Sequence, residues 1–418
     1  MIISSQGEAC SPNEDIKALD LHGTNTLRDR LLKIQANSGS GEAALLASAE
    51  IELEQEKQAR QVSSEQEKVD KIEEARQALQ DFRDYLAQSS GVAAQALPSE
   101  EELEYSYNSV TQECEITRQD GVDIELDLSD SYLEGELPLP PQLMVTSLDC
   151  SLNQLTALSE LPASLTALNC QSNQLTTLPE LPVSLSELNC WSNQLTALPG
   201  LPASLAGIGC GGNQLTALPE LPASLDELFC GSNQLTALPE LPVSLTGLSC
   251  GENQLTALPE LPDSLTDLSC GDNQLTTLPE LPTSLILLDC AKNQLTALPV
   301  LPDSLTKLYC TSNQLTALPE LPASLTRLDC DKNQLATLPE LSTSLTKLYC
   351  HENQLTALPE LPANLTVLIC SDNNLTALPK LPDSLTELIY FSNPSIDRDP
   401  IIQAAMQAMR DRGGYVNP

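Results

Sequence analysis

Apolar residues recur along this chain on two periods, and the change between them divides it. From Glu42 to Gln88, charged and amide residues surround a narrow apolar stripe. Ile72, Ala75, Leu79, Phe82 and Leu86 are spaced three, four, three and four, one face of an amphipathic helix or coiled-coil strand. Val62 and Val69 start a second heptad column, which Arg76 and Arg83 end. The stripe therefore serves either to cap the rest of the chain or to self-associate through 62–86. From residue 145 to 393 the period becomes twenty. Ser164 to Val183 is SLTALNCQSNQLTTLPELPV, and near-copies follow it. Cysteine falls every twenty residues from Cys150 to Cys370, twelve times, with asparagine three places later from Asn153 to Asn373. A fixed short period of this kind predicts a solenoid, each unit burying its face only against its neighbours.

Each unit follows L-x-x-L-x-C-x-x-N-x-L-x-x-L-P-x-L-P, which fits a leucine-rich repeat with cysteine in the third apolar slot. Leu168 and Cys170 alternate with exposed neighbours, the period-two mark of a strand. The asparagines stand where the chain turns inward, and a ladder of them satisfies buried backbone groups of adjacent coils. The Leu-Pro-Glu-Leu-Pro half is neither helix nor central strand, because proline lacks a donor and fixes its own φ. The predicted fold is a leucine-rich-repeat solenoid of short 20-residue repeats. It has a parallel β concave face, a polyproline-like convex face and an α-helical N-terminal region.

The flanks give the domain plan. Residues 1–41 form a polar segment with a short helix over Thr26–Ala36, ended by Asn37–Gly41. Residues 42–92 are the amphipathic helical region. Residues 93–123 are a linker with N-terminal capping strands, in which Pro98–Leu103 begins a short helix. Cys114–Leu128 is expected to pair as two strands joined at Asp120-Gly121, a hairpin signal. The solenoid occupies 124–393, its first coil irregular and lacking the asparagine, its last carrying Tyr390 in the cysteine slot. In 394–418, Asp399–Arg412 is a capping helix with Ile401, Ile402, Ala405, Met406 and Met409 on one side, and Gly413–Pro418 is a loose tail.

On the Leu-Pro pair, which occurs twice per unit as Leu-Pro-x-Leu-Pro, the array resembles the LPX-type leucine-rich repeats of bacterial effectors delivered into host cells. The likeness covers 145–393, with cysteine in place of the more usual aliphatic residue. It implies a YopM-like scaffold, secreted by a bacterium without a cleaved signal peptide and acting in host cytoplasm. Otherwise the chain works in bacterial cytoplasm. The IpaH-type ubiquitin ligases of the same group carry a large domain with a cysteine nucleophile after the repeats. Here about 25 residues follow the last coil, without cysteine, so the ligase reading falls away.

Composition narrows the function. A net charge of −38 makes nucleic acid and anionic membrane poor partners, and no stretch is apolar enough for membrane insertion. Nine glutamates, from Glu160 to Glu360, form one convex column and read as a solvated face; nothing in their spacing suits calcium. The twelve array cysteines include no C-x-x-C pair and serve as small buried filler, which fits a reducing compartment. No metal or cofactor site is expected. His22, His351, Cys10 and Cys114 lie in no nucleophile or metal motif, and His351 beside Glu352 belongs to the surface, so the chain is not expected to be an enzyme.

Function must then lie where the copies differ, at the residues either side of the second leucine and the two after the cysteine. Early coils are small, acidic or apolar there, with Gly207, Gly209, Gly211, Gly212 and Glu227, and carry Trp191 and Phe229. Later coils carry Lys292, Lys307, Tyr309, Arg327, Lys332, Lys347, Tyr349 and His351. Of the six Lys or Arg in 141–390 only Lys380 lies elsewhere. Stacked like charges destabilise a sheet, so this concentration points to recognition of a protein partner with an acidic or phosphorylated surface. Pairing with the alternating Asp289 and Asp329 is the competing explanation. Two further roles stay open: an adaptor recruiting a ligase or kinase through its N-terminal helices, and a coiled-coil-mediated assembler.

Overall fold

The computed structural model describes residues 42–89, 93–108, 112–393 and 400–417. The expected helix at Thr26–Ala36, the linker Asn37–Gly41, Cys10 and His22 lie outside these residues. The chain divides into two units, one comprising 1–76 with 106–114 and the other 77–105 with 115–418. The first contains most of helix α1, which runs Glu42–Ser89. Along its surface Ile51, Val62 and Val69 are exposed, whereas Ala75 is buried.

The second unit holds the end of α1 and the solenoid. Leu79, Phe82 and Leu86, one turn of helix apart, are at most 1% exposed. The Tyr85 hydroxyl donates to the Glu134 carbonyl at 3.1 Å. This half of the stripe is consumed inside the unit, which leaves Ile51, Val62 and Val69 as the exposed large apolar residues of the helix among the described residues. A one-turn 3₁₀ helix at Glu100–Glu102, capped by Ser99, stands where the short helix was expected.

Strands β1 (Leu103–Asn108) and β2 (Glu113–Arg118) form a separate two-stranded sheet. The expected hairpin at Asp120-Gly121 does not form. A turn is present there, with Gly121 at φ +71, but β3 (Ile124–Asp127) leaves it to pair parallel with β5 (Val145–Asp149). The repeat wins over the local turn signal, because β3 buries Ile124 and Leu126 only by stacking under the next coil. Strands β4 (Glu134–Leu137) and β6 (Gln154–Leu158) make a short parallel pair of their own. From β7 (Ala167–Asn169) to β18 (Glu387–Ile389) each coil gives one three-residue strand, and all join one parallel sheet.

Three aliphatic residues and the cysteine of each coil face inward; Leu165, Leu175 and Cys170 are fully buried and Leu168 is 2% exposed. A leucine buried in this way contributes about 1.5–3 kcal/mol. The asparagine ladder closes each coil on its predecessor. The Asn173 amide donates to the carbonyls of Cys150 at 2.9 Å and Cys170 at 3.2 Å, while its oxygen accepts the Leu155 N–H at 2.9 Å. The same pattern recurs at Asn273 and Asn353. A second ladder was not anticipated. Serines of the Pro-x-Ser-Leu turn donate to the preceding coil, as Ser184 does to the Leu165 carbonyl at 2.7 Å.

The C-terminal end closes differently from the expected loose tail. Helix α2 (Pro400–Asp411) buries Met406 and Met409; the side chains of Ile401 and Ile402 lie outside the described residues. Gly413, at φ +82, turns the chain back, and β19 (Tyr415–Asn417) pairs with β18. Otherwise the last strand would present a row of unmade backbone hydrogen bonds. Tyr390 fills the cysteine slot and is 2% exposed.

Candidate interaction surface

The outward positions of the strands form straight columns because successive coils pair in register. β14 (Lys307–Tyr309), β15 (Arg327–Asp329) and β16 (Lys347–Tyr349) set Lys307, Arg327 and Lys347 side by side. Asp289, Tyr309, Asp329 and Tyr349 alternate in the neighbouring column. The central cation is held in place. Arg327 gives a two-pronged hydrogen bond to Asp329 on its own strand, at 2.9 and 2.8 Å. Its guanidinium carbon lies 5.0 Å from the Tyr309 ring centre and 4.9 Å from that of Tyr349. The planar group is thus sandwiched between two tyrosines, a stack worth about 0.5–1 kcal/mol per ring at a partly exposed site. The Asp329 hydrogen bond raises the Arg327 pKa further, so its charge is fixed, and burial pushes the Tyr349 hydroxyl up.

The flanking lysines differ. Among the described residues, neither Lys307 nor Lys347 has an ion-pair partner. Lys307 is exposed and Lys347 half-buried. Spaced by two strand intervals, they stand about 10 Å apart at the backbone on either side of the stack. Internal pairing and an open cationic surface therefore coexist: Asp329 neutralises the middle charge and leaves the outer two.

Lys292 and Lys332, expected on exposed strand positions, lie beyond the ends of their strands. Each occupies the second place after the cysteine, where φ is +52 and +53. Every described coil from Leu152 to Ser392 is left-handed at this place. The chain reverses there to bring the asparagine inward, and the strained residue's N–H is satisfied by the next coil, as Lys292 N by the Thr311 carbonyl at 2.7 Å. Serine, glutamate, lysine and leucine all occupy this column, so residue type carried no signal for it. Lys292 pairs with Asp272 at 2.8 Å and Lys332 with Glu352 at 3.7 Å, both exposed.

His351 lies at the edge of the patch. Its Nε2 is 3.5 Å from the buried Asp331 carboxylate, which also accepts the Thr311 hydroxyl at 2.9 Å. Glu352 is 3.9 Å away, beyond hydrogen-bond range, and Nδ1 is buried without a partner. Trp191 and Phe229 are placed elsewhere, lining a hollow of about 670 Å³ on the earlier coils. The predicted residues therefore fall into two groups along one face. Burial pushes the array thiols up, Cys150 and Cys210 to about 12, which keeps them neutral and poor nucleophiles. No cluster of metal-ligating side chains occurs among the described residues.

The solenoid has solved counterparts. YopM from Yersinia pestis, described as a leucine-rich effector protein, is 39% identical with a TM-score of 0.58, over 65% of this chain and 84% of that one. This chain belongs to the YopM family of leucine-rich-repeat proteins. YopM from Yersinia enterocolitica WA-314 is 38% identical with a TM-score of 0.57, over 63% of this chain. The match spans 64% of that protein's length. No protein-family model and no curated sequence matches the chain. The YopM-like array is a leucine-rich-repeat protein-binding scaffold. No helix among the described residues is long and apolar enough to cross a membrane.

Proposed function

We propose that this chain is a non-enzymatic scaffold that docks an acidic or phosphorylated protein on its strand face, acting as a secreted bacterial effector in host cytoplasm. The observation that carries the reading is the pair of unpartnered lysines, Lys307 and Lys347, flanking the Tyr309–Arg327–Tyr349 stack. The stack is already formed before any partner arrives, which lowers the entropy cost of binding. The lysines supply charge that the fold itself does not use. Membership of the YopM family supports the effector role, and the unpaired thiols suit a reducing compartment.

The test reverses Lys307→Glu and Lys347→Glu together, leaving Arg327 and its partner Asp329 alone. Protein captured from a eukaryotic extract should fall about tenfold or more, with Trp191 emission and circular dichroism unchanged. Equal capture by the folded variant would remove the patch. A second reading, assembly or adaptor recruitment through α1, is favoured by exposed Ile51, Val62 and Val69. Sedimentation of the full chain against Val62→Glu/Val69→Glu separates it: identical mass and identical captured protein would dismiss it.

A further inference from the structure

The earlier coils carry a second feature on the same face, of opposite charge to the lysine patch. β8 (Glu187–Asn189), β9 (Gly207–Gly209) and β10 (Glu227–Phe229) pair in register. One outward column therefore runs Glu187, Gly207, Glu227, and the next Asn189, Gly209, Phe229. Ile208 points inward at 2% exposure, so β9 presents no side chain outward. The result is a notch one strand wide, floored by glycine backbone and walled by the side chains of β8 and β10. At ordinary strand spacing its walls stand about 10 Å apart.

Aromatic groups border this notch. Trp191 and Phe229 are 38% and 37% exposed, and both line the 670 Å³ hollow above it. The indole lies against Gly211, where a Cβ would come within 3.0 Å of the ring, so the glycine allows the ring to lie close. Glu187 and Glu227 are exposed, and their carboxylates have no hydrogen-bond or ion-pair partner among the described residues. The segment from residue 119 to 291 contains no Lys or Arg at all. The nearby chain thus supplies carboxylates, aromatic faces and an open floor, and no cation to neutralise them.

We propose that this notch takes an arginine side chain from an extended segment of a partner protein. The proposal rests on the strand face being the docking surface, and it names the chemistry read by the earlier coils. A guanidinium is flat enough for the slot, forms forked hydrogen bonds to carboxylates, and stacks on aromatic rings, which a lysine ammonium does less well. The side-chain-free floor lets the partner's backbone approach.

Trp191 is the chain's single tryptophan and reports on the notch directly. The full chain is titrated with capped Gly-Arg-Gly, and with its citrulline and lysine counterparts, at about 0.15 M salt. The arginine peptide should change Trp191 emission saturably, with both counterparts at least about tenfold weaker. Gly207→Met fills the slot without altering charge; its Cβ meets nothing within 4 Å and its φ is ordinary, so the coil tolerates it. That variant should abolish the saturable change. Glu260→Gln/Glu280→Gln/Glu320→Gln, on the opposite face, and Lys307→Glu/Lys347→Glu should leave it within about twofold. Equal binding of lysine or citrulline, survival in Gly207→Met, or an equal loss in the opposite-face variant would overturn the proposal. The lysine-pair reversal keeps its failure separate from failure of the patch.

Discussion

Replacing Asn273 with alanine removes one rung of the ladder that joins each coil to the one before. The amide donates to the Cys250 carbonyl at 3.0 Å and the Cys270 carbonyl at 3.1 Å, and its oxygen accepts the Leu255 N–H at 2.9 Å. The carbonyls are not orphaned by the change. Cys250 keeps Asn253 at 3.1 Å, and Cys270 keeps Asn293 at 3.1 Å. The Leu255 N–H, on a fully buried residue, does lose its partner. An unsatisfied buried donor costs about 1–3 kcal/mol and each lost amide bond about 0.5–1.5, giving about 2–6 kcal/mol in total. Because a repeat contacts only its neighbours, the damage stays near residues 245–275. Hydrogen exchange followed by peptide mass spectrometry is the assay, with urea unfolding beside it. Exchange should accelerate around Leu255 and remain slow around Leu355. Gln274→Ala, at an exposed position, should change little. Native-like protection at Leu255 in the Asn273 variant, or an equal effect from Gln274→Ala, would refute the ladder argument.

Three other outcomes follow from the same packing. Burial raises the thiols of Cys150, Cys210, Cys250 and Cys370 from 9.0 to about 12, so the unfolded chain sheds protons first as pH rises. Their contribution is full below about pH 9 and falls by about 1.4 kcal/mol per thiol per pH unit up to about 12. Alkaline titration should therefore unfold the array steeply near pH 10, and a native circular dichroism spectrum at pH 11 would contradict this. Phe82→Ala, at a fully buried site, should cost about 3–5 kcal/mol and speed exchange in the first coils, while exchange near Trp191 stays unchanged. Gly211→Val would bring a Cβ within 3.0 Å of the Trp191 ring and 2.9 Å of the Gly231 carbonyl, so tryptophan emission should move to longer wavelength as the ring is displaced.

Much of this molecule was legible along the chain. The twenty-residue period named the solenoid, since Leu165, Cys170 and Leu175 bury themselves only by stacking on copies of themselves. The place of Asn173 named the ladder, since a polar side chain at that phase has only backbone to bond. The amphipathic stripe named the buried face of α1 at Leu79, Phe82 and Leu86. Other features depended on neighbours twenty residues away and left no local mark. Nothing near Asp120-Gly121 says that β3 will pair forward with β5 and forgo a hairpin. The left-handed turn before each asparagine accepts Ser, Lys, Glu or Leu, so composition was silent on why Lys292 and Lys332 leave the strand.

The sequence alone determined the interior, because identical coils impose identical burial and a periodic pattern has one way to hide its leucines. It also determined which outward positions vary. The tertiary structure decided what those positions do together. Register set Arg327 between Tyr309 and Tyr349 and gave its charge to Asp329, leaving Lys307 and Lys347 free. The same register placed Gly207 between Glu187 and Glu227, and Gly209 between Asn189 and Phe229, to open a notch. Contacts between side chains twenty residues apart arise from strand spacing, and a one-dimensional pattern cannot show whether a charge is already spent on its neighbour.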